Sequence, residues 1–437
     1  MAVRLPARHP RGLYALCAVE LCERFAGSLL GSLLLLYLNE RLGMASSTAT
    51  RIGGAFNAAV YLSSVIGGVI ADRWLGTRRA ILIGAGLLAG GYAALSLDRA
   101  SLLYTSAALL TLGHALFKPS ITAAVGKLYE PTDRRRDEAY SLFYVVFNIG
   151  SACGPLAGGL LRTAWGWSSA FSVAGLAMLF ALAAGLVSYC WLLTGTAQPR
   201  TEDAAALSTD VSRSSWPVAG LVGVLGAGLL FTAVYEQTGQ SLLLWARDCT
   251  RRSLLGYSFP ASSLLGVPGV LVLGIQPLLS RTVSTLAKRG FRPSLLGRIH
   301  IGLLSGVGAY MIMLFAALRQ HGAQGLVSPV WLVACFVALT VGELLVYPLS
   351  LALVTRLAPA TMTAAAMGLW MAALAGGQWL AGEVAAHWAT WSHANFFSVL
   401  SAIALAAAVV LALATRSIRR ALADHDRAQM LRRTPVV

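Results

Sequence analysis

Apolar residues fall along this chain in long runs, not in the alternating or one-faced patterns of soluble elements. Twelve runs are readable, over residues 13–38, 47–71, 80–98, 101–127, 139–162, 168–194, 217–246, 260–284, 296–318, 328–355, 362–386 and 395–416. A bilayer-spanning helix needs roughly 20 predominantly apolar residues, and each run is about that long or longer. Helix is the form such a run must take, because every backbone amide and carbonyl in hydrocarbon has to be bonded within the segment. Most polar connections are short. The longest, at 194–216, is rich in Ser, Thr, Asp and Glu and follows the sixth run. The pattern predicts an all-α polytopic membrane protein of 12 transmembrane helices in two six-helix bundles. The bundles are expected over 1–194 and 217–418, with a cytoplasmic linker at 195–216 and a basic cytoplasmic tail at 419–437.

Composition agrees. Of 437 residues 57% are hydrophobic and 12% charged, against about 25% charged in soluble domains. Mean hydropathy is +0.68. The first run is too long, and too charged in its middle, for a cleaved signal peptide, so it is expected to be a retained span. The formal net charge of +16 would suggest nucleic acid in a soluble protein. Here most of the 34 Lys and Arg fall in alternate connections, including Arg73, Arg78 and Arg79, Lys127, Arg135 and Arg136, and Arg416, Arg419 and Arg420. That asymmetry sets orientation, with both termini cytoplasmic in a cell (inner or plasma) membrane. The basic face then meets anionic lipid, and no nucleic-acid partner is expected. The six cysteines form neither a CxxC pair nor a metal-ligand spacing, and read as small core residues. With no nucleophile–base pair or cofactor loop, an enzyme is not expected, and neither is a metal or cofactor.

Candidate chemistry lies in the charges that interrupt the runs. Glu20, Glu23 and Arg24 stand in the first, Lys118 in the fourth, Glu236 in the seventh and Glu343 in the tenth. At 3.6 residues per turn Glu20, Glu23 and Arg24 share one helix face. A charge near the bilayer centre costs on the order of 3 kcal/mol or more, and is usually functional where it occurs. A static ion cluster that pins helices together is the structural alternative. All six charges fall in the first helix of successive three-helix units. Transporters built from inverted three-helix repeats line their central cavity with such equivalent helices, and a six-plus-six layout is that of a major-facilitator transporter. Desolvation favours the neutral form of a carboxylate, which lets it bind and release a proton near neutrality. Glu236 and Glu343 are candidates for this. Pro119 follows Lys118 and leaves a carbonyl without its amide partner nearby.

The ordered motifs resemble the proton-dependent oligopeptide transporter family of the major facilitator superfamily. Glu20-x-x-Glu23-Arg24-Phe25 matches that family's first-helix motif, and Phe117-Lys118-Pro119-Ser120 resembles its FKPN stretch. Phe143 to Ser151 is similar to FYxxINxGS, Phe231 to Gln237 to FWxxFEQ, and Gly342-Glu343-Leu344 onward to Pro359 to GELxxSP…LAP. Met367-Gly368-Leu369-Trp370 resembles the start of the eleventh helix, and Gly67 to Arg79 the G-x-x-x-D-R loop of the superfamily. The resemblance implies a proton symporter that imports di- or tripeptides, or a peptide-like compound, by alternating access, with protons as the coupling ion. It implies a proton-linked cluster of Glu20, Glu23, Arg24 and Lys118, with Glu236 as a proton-responsive gate group and Glu343 facing Lys118. Arg24, Tyr61, Lys118, Asn148, Glu343 and Trp370 would contact substrate, and Asp72 and Arg73 would serve gating. A monomer in the lipid bilayer is expected.

Departures bear on substrate. Where the family carries two tyrosines and then an arginine after ERF, this chain has Gly27, Ser28 and Gly31, and the eighth-helix Asn-Pro is Pro268-Gly269. Two explanations follow: a pocket enlarged for a bulkier or non-peptide substrate, or a small-xxx-small packing face at Gly27 and Gly31. A proton-antiport exporter of a drug or natural product, and a non-transporting receptor of the same fold, stay open as alternatives.

Overall fold

The computed structural model describes residues 9–130, 133, 135–192, 218–254, 257–291, 293–323, 325–358 and 362–433. The expected linker at 195–216 lies outside them. The first four long helices are α1 (Arg11–Leu36), α2 (Ser46–Ile70), α3 (Thr77–Ser96) and α4 (Leu103–Gly126). Arg135–Leu192 is one helical run broken at Gly166, whose φ of 86° and ψ of −176° end one helix and start the next. It gives α5 (135–165) and α6 (167–192). A residue with a Cβ avoids that backbone conformation, which glycine adopts freely.

α7 (Val218–Tyr235) passes through a tight turn at Glu236–Gly239 into a short helix, Ser241–Asp248. A two-residue antiparallel ladder pairs Ser253 with Ser258 and Leu254 with Tyr257. Then come α8 (Val267–Lys288), α9 (Leu295–Ala323), α10 (Val330–Leu357), α11 (Thr363–Ala385) and α12 (His393–Arg433). Among the described residues ten helical segments are long and apolar enough to cross a membrane. One of them holds both α5 and α6, and α11, richer in Gly, Trp and Gln, is outside that set. The last helix overruns the apolar run that ends at 416, continuing to Arg433 through Ala, Leu and Arg, all strong helix formers.

The chain sorts into two compact units. The first comprises Met1–Ala45, Ala59–Gln198 and Arg252–Leu273, and the second Ser46–Ala58, Pro199–Arg251 and Gly274–Val437. Helix packing within lipid is driven by close contact and not by burial from water, so small residues mark the interfaces. In the first unit α1 packs along α5, α3 on α4, and α3 on α6. In the second, α7 packs on α11 and α12, and α9 on α10 and α12. Pairs six helices apart in number thus repeat: α1 with α5 as α7 with α11, and α3 with α4 as α9 with α10.

Two close approaches set up the site. A Cβ on Gly67 of α2 would stand 2.0 Å from Ala115 O. That carbonyl is four residues before Pro119, so it is the acceptor the proline leaves without its amide. The glycine backbone covers it, and α4 stays helical through the proline. On α5, a Cβ at Gly150 would meet Arg24 Cβ at 2.7 Å and Leu21 O at 2.9 Å, so α1 lies almost backbone to backbone against α5 at the level of the charges.

Candidate proton and substrate site

The first unit gathers the charges of α1 into one buried cluster. Glu20 is 4% exposed and Glu23 1%. Arg24 grips Glu23 through both arms of its guanidinium: Nε donates to Oε2, and an Nη donates to Oε1 at 2.5 Å. Arg24 Nε lies 3.4 Å from Glu20 Oε1, one helical turn back. Its guanidinium carbon stands 4.7 Å from the centre of the Phe147 ring on α5, a cation–π contact that holds the fork in place. Glu20 Oε2 is buried without a hydrogen-bonding partner among the described residues. On α4, Lys118 Nζ sits 5.8 Å from the centre of the Tyr61 ring and interacts electrostatically with Glu20 and Glu23. Asn148 is buried, and its amide donates to Tyr144 O at 2.8 Å, which leaves its carbonyl as the group with acceptor capacity.

The cluster holds one titratable residue that the motifs do not point to. His114 of α4 is 5% exposed, and its Nδ1 lies 3.1 Å from Glu23 Oε1. The contact is within ion-pair reach. The available signal was spacing, since His114 stands four residues before Lys118 and therefore on the same helix face.

The residues after Arg24 divide into two kinds. Ser28 serves packing: its hydroxyl donates to Arg24 O at 2.6 Å and lies 3.2 Å from Gly150 O. A Cβ on Gly154 would meet that hydroxyl at 2.2 Å. Gly27 and Gly31 are different. A Cβ on Gly27 would rest at ordinary distances, 3.6 Å from Glu23 Oε1 and 4.0 Å from His114 Cε1. Gly31 is exposed, with nothing within 4 Å. The small-xxx-small reading of Gly27 and Gly31 is therefore not what packs α1; Ser28 against Gly150 and Gly154 is. A Cβ would fit at both positions.

In the second unit Glu343 of α10 accepts a 2.7 Å hydrogen bond from the Tyr235 hydroxyl. Tyr235 belongs to an aromatic group with Phe231 and Tyr347, ring centres 5.5 to 6.2 Å apart. Tyr347 in turn donates to Thr232 Oγ1 at 3.2 Å. Glu236 falls at the break where α7 gives way to its tight turn. The next residue, Gln237, is fully buried and clamps that turn, donating to Ala381 O at 3.0 Å and accepting from Ser241 Oγ at 2.7 Å. Trp370 is 2% exposed and packs on α7, where a Cβ on Gly228 would stand 2.5 Å from its ring. It lies in the core of its unit. Asp72 and Arg73 are exposed at the end of α2, before Gly76 with φ +75°. Between α4 and α5, outside the membrane runs, Arg135 binds Asp133 through its side chain and its backbone amide, holding that carboxyl below its usual range.

The structure thus brings Glu20, Glu23 and Arg24 into direct contact, with Lys118 and Tyr61 beside them in the first unit. Glu236, Glu343 and Trp370 belong to the second unit.

A family model described as the Major Facilitator Superfamily matches residues 16–382. The chain is 30% identical to the peptide transporter YePEPT of Yersinia enterocolitica, covering 84% of this chain and 85% of that one. The chain belongs to the proton-dependent oligopeptide transporter family of that superfamily. This family member is also 27% identical to the dipeptide and tripeptide permease A of Pectobacterium carotovorum, over 83% of its own length and 80% of the permease. Among solved structures it resembles a peptide transporter crystallised with alafosfalin, at 26% identity and a TM-score of 0.84, covering 95% of this chain and 96% of that one. It is a multi-pass membrane protein.

Proposed function

We propose that this transporter imports short peptides, or a peptide-like compound, together with protons, by alternating access around a midplane site. The observation that carries the reading is the buried Glu20–Glu23–Arg24 cluster, in which two carboxylates share one guanidinium. A cluster of this kind couples well, because a proton on either carboxylate releases part of the hold on Arg24. The freed guanidinium can then take the substrate's carboxyl end, since Arg binds carboxylates through two parallel hydrogen bonds. Lys118 would assist at that end. Glu343 would take the amino end and Glu236 would answer protons at the α7 break. Tyr61, Asn148 and Trp370 would shape the pocket, and Asp72 and Arg73 would act in gating. Protons are the coupling ion in this reading and no other cofactor is needed. The chain would act as a monomer with both termini in the cytoplasm.

Glycine at 27 and 31, in place of larger side chains, favours a substrate with a bulkier middle over the smallest dipeptides. Labelled di- and tripeptides, offered to vesicles with an imposed inward proton gradient, test the proposal. It predicts accumulation that a protonophore abolishes. Accumulation that ignores the gradient would sink the coupling, and depletion of a preloaded compound would favour export.

A further inference from the structure

We infer that His114 is a proton-sharing partner of Glu23, so that the coupling proton is held by a carboxylate–imidazole pair and not by a carboxylate alone. The inference rests on the proton-coupling reading above and adds a residue to it. His114 Nδ1 lies 3.1 Å from Glu23 Oε1 and has no hydrogen-bonding partner among the described residues. Both side chains are almost fully buried, at 7% and 1% exposure. A buried polar nitrogen normally has a partner. Among the described residues the charged group in ion-pair contact with it is the Glu23 carboxylate that Arg24 already grips, so a proton placed between Nδ1 and Oε1 would complete the contact.

The surroundings give the pair its consequence. α1 presents Glu20, Glu23 and Arg24; α4 presents Lys118, one turn after His114; α2 presents Tyr61; and α3 presents the buried Tyr92 phenol, which interacts with Glu23 and Arg24. α5 closes the side with the Phe147 ring over Arg24. In formal charge the two carboxylates balance Arg24 and Lys118. One further proton therefore leaves the cluster with excess positive charge, whichever atom holds it. A proton arriving at His114 forms an N–H bond at Nδ1 and creates an imidazolium beside Glu23. Its passage to Glu23 breaks that N–H bond, forms an O–H bond at Oε1, and returns the imidazole to neutral. Glu23 is then uncharged, and Arg24 is left with Glu20 as its carboxylate partner. The cluster becomes a site for an anionic group, such as a peptide carboxyl end, in the same step that loads the proton.

Infrared titration of the purified protein in lipid nanodiscs tests this without any substrate. The carboxyl C=O band of Glu23 is identified by its loss in Glu23→Gln, and its intensity is followed from pH 4 to 9. In His114→Asn, which keeps a hydrogen-bonding side chain of similar reach, the midpoint of that band should move by at least one pH unit, a tenfold change in proton affinity. A purely structural histidine would be rescued by asparagine, and an unmoved midpoint overturns the inference. A second readout needs no histidine variant. Imidazolium ring modes of 15N-histidine-labelled wild-type protein should titrate together with the Glu23 band, and independent titration overturns the sharing. Absence of any titrating Glu23 band also overturns it. Failure of peptide uptake would strike the substrate reading and leave these spectra as they are.

Discussion

Gly154→Ala places one methyl group into the tightest part of the interface that carries the charge cluster. The new Cβ would lie 2.2 Å from Ser28 Oγ, 2.4 Å from Phe25 O and 2.8 Å from Leu29 N. Two of these three atoms are backbone, so no rotamer change relieves the overlap. Heavy atoms pack best near 3.5–4.0 Å, so α1 and α5 must part by on the order of 1 Å. Overpacking of this kind costs about 1–3 kcal/mol, and with backbone in the way the upper half of that range is expected. The control is Gly31→Ala, an exposed position on the facing helix α1 with nothing within 4 Å. Both substitutions gain about 1 kcal/mol of helix propensity, so their difference isolates the packing cost. For a bundle of about 200 residues 1 kcal/mol corresponds to roughly 2–4 °C in Tm. Purified in the same detergent and followed by tryptophan fluorescence, Gly154→Ala should melt several degrees below Gly31→Ala. Driven uptake should fall with it, because Arg24 rides on the displaced helix. Equal melting temperatures would refute the account of how α1 is held.

Other substitutions probe the charges one at a time. Tyr235→Phe removes the hydroxyl that holds Glu343, a hydrogen bond to a charged group worth about 1.5–3 kcal/mol. Gradient-driven uptake should drop on the order of tenfold, and unchanged initial rates would free Glu343 from its assigned partner. Lys118→Ala and Glu343→Gln should each abolish uphill accumulation in vesicles; normal uphill uptake by either variant would remove that residue from the coupling set. Arg51→Ala breaks an exposed 3.0 Å ion pair with Glu383. Such pairs contribute about 0–1 kcal/mol, so the melting temperature should move by no more than a few degrees. A larger fall would mean that the pair is part of a cooperative contact.

Most of the architecture was legible in the sequence because hydrocarbon permits few solutions. Long apolar runs had to be helices, and charges at helical spacing within one run had to share a face. The Glu20, Glu23 and Arg24 face followed from helical spacing alone and is the face observed. Other features depend on three-dimensional contact. The extension of α12 to Arg433 was hidden because the apolar run stops well before the helix-forming residues do. Ser28 read as a lost tyrosine, and only the position of Gly150 and Gly154 across the interface shows that it packs α1 on α5. Gly27 and Gly31 read as a packing motif by spacing, yet spacing does not say which face of α1 meets a neighbour. His114 shares a helix face with Lys118 by spacing, but spacing alone does not say what that face meets. Its meaning comes from the carboxylate that folding brings 3.1 Å away.

The measurement closest to the central claim is simultaneous proton and peptide flux in proteoliposomes loaded with a pH-sensitive dye. If the α1 cluster couples the two, a labelled di- or tripeptide added outside at acidic pH should carry protons inward with wild-type protein. Glu23→Gln should exchange peptide across the membrane without moving protons. Equal proton entry per peptide in wild type and Glu23→Gln would contradict the account.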